Sequence, residues 1–115
     1  PMEDGQPKVI IEDEVLENPV EADYASQGRG QQFYMRFCIT CHGKDGKGDT
    51  EMREFLDTAP SDLTDSNWLY GNRDGDIFKI IKEGTENEME AFEDRLVDER
   101  IWHVVNYVRT LAKKN

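Results

Sequence analysis

Cys38, Ile39, Thr40, Cys41 and His42 form an uninterrupted CxxCH run that uses both cysteines of this 115-residue chain. The run reads as a c-type haem attachment site. Two thiols three positions apart fall on one helical face. There each can add to a haem vinyl group, and the adjacent imidazole then comes within reach of the iron. Three other chemistries use the same residue types. A thioredoxin-like CxxC needs a βαβ setting, and the sequence shows no such pattern. A zinc site could recruit only His42 and His103 beside the thiolates, and the adjacent Cys41 and His42 make awkward tetrahedral ligands. A disulfide closing so short a loop would be strained and would contribute little.

The elements that must present this pentapeptide are helical. From about Ser26 to Cys41, Phe33, Tyr34, Phe37, Cys38 and Cys41 recur at helical spacing, so one helix delivers both thiols. Gly43 to Asp49 (GKDGKGD) reads as a turn-rich loop, and Met52, Phe55 and Leu56 allow a short helical turn over Glu51 to Leu56. Asp74 or Asp76 is placed to cap a helix with an inner face of Ile77, Ile80 and Ile81, which Gly84 would end. A last helix beginning near Asp98 carries Ile101, Val104, Val105, Val108 and Leu111 on one face. No strand pattern competes and no internal repeat is present, so the expected class is all-α.

The chain is expected to hold one domain with a thin core, since only 37% of its residues are apolar. A buried haem would supply a flat apolar body for side chains to pack against. The formal charge is −11, and residues 1–24 alone hold eight acids against the single Lys8. Residues 1–25, with Pro7, Pro19 and no helical period, read as an acidic, mostly non-helical extension or linker before a domain at 26–115. A second acidic run, Glu83 to Asp94, has six acids and no base. No apolar run approaches membrane-spanning length. No signal peptide is visible from Pro1 onward, so a mature or trimmed chain is expected.

Beyond the pentapeptide, longer motifs follow in order. They are GxxxYxxxCxxCHG (Gly30, Tyr34, Cys38, Cys41, His42, Gly43), GxGD (Gly46, Gly48, Asp49), and AP followed by DLTD (Ala59, Pro60, Asp62 to Asp65). WxYG (Trp68, Tyr70, Gly71), MxAF (Met89, Ala91, Phe92) and IWxVVxYVRxL (Ile101 to Leu111) complete the series. Over about residues 26–112 this order resembles a class I c-type cytochrome. It is most similar to bacterial monohaem forms that include cytochrome subunits of terminal oxidases and acceptors of periplasmic dehydrogenases. The resemblance implies three main helices around one covalent haem c, with the first and last crossing at a right angle. Gly30 and Tyr34 match the first helix of that crossing, and Val104 and Tyr107 match the last.

The candidates for a second axial ligand are Met2, Met35, Met52, Met89 and His103. Met89 is far enough along the chain to wrap around the haem, and it matches the ligand position of the family, which makes His42 and Met89 the expected iron ligands. Proline commonly follows this methionine in the family, whereas this chain has Glu90. The resemblance further implies that the Pro60 carbonyl accepts a hydrogen bond from the proximal imidazole. Trp68, Tyr70 and Arg73 are candidates for holding the haem propionates, or else loop aromatics and a solvated arginine. Trp102 reads as core. No general base, nucleophile or phosphate loop is evident.

The resemblance thus implies a periplasmic one-electron carrier that is not an enzyme. It is expected to be a monomer that binds no nucleic acid and has no transmembrane segment, and whose redox partner offers a basic patch to the acidic run. The alternative is a haem subunit, or tethered electron-entry domain, of a larger oxidoreductase complex.

Overall fold

The computed structural model describes residues 16–55, 62–64, 73–85 and 89–112. All regular elements among the described residues are helical, as the apolar periodicities predict. Helix α1 spans Tyr24–Phe37 and starts two residues ahead of the expected Ser26. The earlier start follows from Asp23, whose carboxylate accepts the Ser26 N–H at 2.8 Å and satisfies one of the open donors of the first turn. Ser26, Gly30 and Tyr34, spaced by four, form its buried stripe.

The expected single helix through Cys41 relaxes at Cys38 (φ −109°, ψ −23°) before a short helix α2, Ile39–His42, resumes. Hydrogen bonding continues across the break: Cys38 N–H donates to the Tyr34 carbonyl at 2.8 Å and His42 N–H to the Cys38 carbonyl at 2.9 Å. The pentapeptide therefore remains on a helical track. A 3-10 turn follows at Glu51–Phe55.

Helix α3, Asp74–Glu83, is capped differently from expectation. Arg73 is the N-cap residue, and Asp76, at the third helical position, reaches back to accept the Arg73 backbone N–H at 3.2 Å. Its buried face consists of Gly75, Ile77, Phe78 and Ile81, with Ile80 only half-buried. Helix α4, Asp98–Ala112, buries an unbroken run from Ile101 to Asn106, then Val108 and Leu111.

The core forms where α1 crosses α4 and α3 packs beside it. At the crossing, Gly30 lies so close to α4 that a Cβ there would stand 2.6 Å from the His103 carbonyl carbon and 2.8 Å from Tyr107 Cβ. One turn further on, Tyr34 and Tyr107 meet with ring centroids 5.2 Å apart. Absence of a side chain at Gly30 lets the backbones approach and the aromatic pair interlock. Trp102 is buried and stacks on Phe78 at 4.0 Å between centroids, which puts it in the core as read from sequence.

Leu16 to Asp23 run without helix along α3 and α4. Leu16 packs on Gly75, where a Cβ would come 2.7 Å from Leu16 Cβ. The Asn18 amide donates to Asn106 Oδ1 at 2.7 Å and to Asp74 Oδ2 at 3.1 Å. Asn106 in turn donates to the Ser26 hydroxyl at 2.8 Å. No described helix is long and apolar enough to cross a membrane.

Candidate haem site

Cys38 ends the core-facing side of α1 and is buried, while Cys41, one turn on, is half-buried. Burial first, and the nearby Cys41 second, push the Cys38 thiol up to about 12. Half-buried Met35, Phe37, Ile39 and Met89 pack against the same apolar cluster as Cys38. Two adjacent thiols, a following imidazole and a thioether beside apolar side chains are a donor set suited to a covalently held haem. The described residues contain no group of three or more His, Cys, Asp and Glu side chains placed to hold a metal ion.

The chain after His42 is fixed from three sides. The Tyr34 hydroxyl donates to the Gly43 carbonyl at 2.6 Å, and Gly48 N–H donates to the His42 carbonyl at 2.7 Å. Leu63 N–H donates to the Gly46 carbonyl at 2.6 Å, tying the loop to the DLTD segment. Tyr34 is wholly buried, and burial drives its phenol well above the ordinary tyrosine range, so it stays a neutral donor. These bonds set the backbone of His42 from the core outward.

Met89 lies on irregular chain between α3 and α4. Its N–H donates to Thr85 Oγ1 at 2.9 Å and its carbonyl accepts from Thr85 N–H at 2.8 Å. Gly84, at φ +76°, ends α3 as expected and gives the passing segment room, since a Cβ there would meet Ala91 N at 2.8 Å. Phe92 N–H then donates to the Ile81 carbonyl at 3.0 Å, using an acceptor left open at the helix end. Thr85 escapes a reading by motif. Its one signal is its position four residues before the methionine.

Glu90 points outward and pairs with Arg95 at 2.8 Å, with Asp94 also near the same guanidinium at 3.5 Å. Part of the acidic run is thus balanced within the fold. Arg73 is engaged by Asp76 through Nε at 3.0 Å and Nη2 at 3.3 Å, and that hydrogen bond holds the Asp76 carboxyl below the ordinary aspartate range. Pro60, Trp68 and Tyr70 lie outside the described residues. His103 is buried on the α1 side of α4, with Nδ1 2.7 Å from the Ser26 hydroxyl, a placement that accounts for its histidine without iron.

An all-α fold that sets a CxxCH turn at the end of a glycine-mediated helix crossing defines a class I c-type cytochrome. More narrowly, the chain belongs to the family described as cytochrome c oxidase, cbb3-type, subunit III, whose model matches residues 25–108. Its cofactor is one covalently attached haem c. The cbb3-type cytochrome c oxidase subunit FixP of Bradyrhizobium diazoefficiens is 36% identical over 84 residues, covering 73% of this chain and 27% of that protein. The chain thus spans under a third of the length of such curated relatives. Among solved structures, the KustC0563 c-type cytochrome is 33% identical with a TM-score of 0.61, over 71% of this chain and 95% of that one. Cytochrome cL from Hyphomicrobium denitrificans shares the fold at a TM-score of 0.66 and 23% identity, covering 82% of this chain and 51% of that one.

Proposed function

We propose that this chain is a one-electron transfer domain in which Cys38 and Cys41 hold the haem through thioethers and His42 and Met89 ligate its iron. When bound, the group supplies a single metal centre that accepts and releases one electron. The observation that carries this reading is the anchored pair of segments. The backbone after His42 is pinned by Tyr34, and that of Met89 by Thr85. Two donors on fixed backbones change position little between oxidation states, which keeps reorganisation small. With His42 and Met89 both serving as donors, outside ligands would be kept from the metal, and the domain would carry electrons with no catalysis of its own.

Cys38, Cys41 and the Met89 segment would hold the haem on the periplasmic side of the membrane, and the bound group would supply the one-electron chemistry there. Glu83 and Glu93, exposed beside that segment, favour a redox partner with a basic patch and an association that slows as salt rises. Charge reversal at Glu83 and Glu93 should reduce the electron-transfer rate at low salt and leave the high-salt rate unchanged. Equal rates at all ionic strengths would remove the docking proposal.

A second reading, a haem subunit or tethered electron-entry domain of a larger oxidoreductase, is favoured by the oxidase subunits among its relatives and their greater length. The near-complete match to a small c-type cytochrome favours a monomeric carrier. Gel filtration of a membrane-free native extract separates them, since a carrier elutes small and alone.

The test of the site is an absorption spectrum in both oxidation states after acid-acetone extraction, beside the Met89→Ala variant. Retained colour and loss of the ferric far-red sulfur-to-iron absorption in the variant are expected. Colourless protein, or an unaltered variant, would overturn the attachment or the ligand assignment respectively.

A further inference from the structure

The segment that carries Met89 is anchored at both ends by backbone bonds, to Thr85 before it and to the last turn of α3 through Phe92 and Glu93 after it. Between those anchors, Glu90 and Ala91 are held from the side by one guanidinium. Arg95 Nη2 donates to Glu90 Oε1 at 2.8 Å and to the Ala91 carbonyl at 2.8 Å. Its Nε lies 3.5 Å from Asp94, and its Cζ sits 4.2 Å over the centre of the Phe92 ring. Phe92 is itself buried and meets Phe37, the residue before Cys38, edge to face at 6.1 Å. A guanidinium seated on a fixed ring has little freedom, so its fork is already aimed when it meets the loop.

We propose that Arg95 is a positioning residue that closes the Met89 segment against the core, with Glu90 as its counter-ion. Arg95 acts through the Ala91 carbonyl and the Glu90 carboxylate. The proposal rests on the reading of Met89 as an axial donor. Its consequence is that the Met89 segment stays in place, so that an outside ligand would compete less well for the position the thioether would occupy. The same clamp ties the segment to Phe37 and so to the turn that presents Cys38, joining both sides of the site through Phe92.

Imidazole added to the ferric holoprotein is the probe, read by loss of the far-red absorption. Arg95→Ala should bind imidazole roughly fivefold more tightly than the parent, the shift that loss of about one exposed, charge-assisted contact produces. Its far-ultraviolet circular dichroism should match the parent. Arg95→Lys should fall between them, since an ammonium keeps the charge and loses the fork. Glu90→Gln, an exposed change that leaves the fold intact, should give a smaller increase. Parent-like imidazole affinity in Arg95→Ala, beside an altered Met89→Ala spectrum, overturns the clamp alone. An unaltered Met89→Ala spectrum overturns the ligand assignment and the clamp together. Should Arg95→Ala not fold, parent-like affinity in both Arg95→Lys and Glu90→Gln overturns the clamp.

Discussion

Gly30 of α1 lies directly against the backbone of His103 in α4, with no room between them for a Cβ. The contact sets how far along each helix the other crosses, and so where Cys38 emerges at the end of α1. Gly30→Ala should cost about 3 kcal/mol, the upper part of the range for overpacking, because the obstacle is backbone and cannot rotate away. Gly28, two residues earlier and exposed, would place a Cβ in open space, with nothing within 4 Å. Gly28→Ala should therefore stabilise by about 0.5–1 kcal/mol. Chemical denaturation of both variants checks the pair, and equal effects would contradict the crossing.

Asn106 is buried and joins Asn18, Val20 and Ser26, while Ser26 also meets His103. Asn106→Ala strands several of these groups away from water and should cost about 2 kcal/mol. Asn18→Ala, nearer the surface, should cost about 1 kcal/mol and should speed hydrogen exchange at the Val20 amide, which donates to Asn18 Oδ1. Unchanged exchange at Val20 would show that residues 16–23 are held by something other than Asn18.

Trp102 belongs to the packing of α3 on α4. Trp102→Ala should cost about 3–5 kcal/mol in thermal or denaturant unfolding. Trp102→Phe, which preserves a stack on Phe78, should leave the electron self-exchange rate of the holoprotein at the parent value. A large fall in that rate with the fold intact would assign Trp102 a part in electron transfer.

Asp76 couples the start of α3 to pH. Its hydrogen bond from Arg73 lowers the folded-state value below that of the unfolded chain, so the contribution is fully present above the unfolded aspartate value, about pH 4. It is lost as pH falls through the lower, folded value. The stability difference between the parent and Asp76→Asn should thus be greatest near neutrality and vanish in strong acid. A difference independent of pH would locate the effect in packing.

The attachment site is legible in the sequence because its chemistry is local: CxxCH places two thiols and an imidazole within two turns whatever the rest of the chain does. Helices α3 and α4 are legible through apolar periodicity, and the core role of Trp102 follows from its place beside that stripe. The N-cap of α3 is not, because aspartates occupy both the first and third helical positions, and only the backbone geometry shows that Asp76 caps from inside.

Local pattern thus determined the fold class, the attachment turn and the helices that carry it. Tertiary structure alone decided that His103 pairs with Ser26, that Asn18 fastens residues 16–23 to α3 and α4, and that Glu90 faces Arg95 rather than standing free. The partners in the first two cases are 77 to 88 positions apart or, for Asp74, 56. Side-chain periodicity reports which face of one element is buried. It carries no information on which distant polar group meets that face, since this depends on how helices pack after the chain has closed on itself.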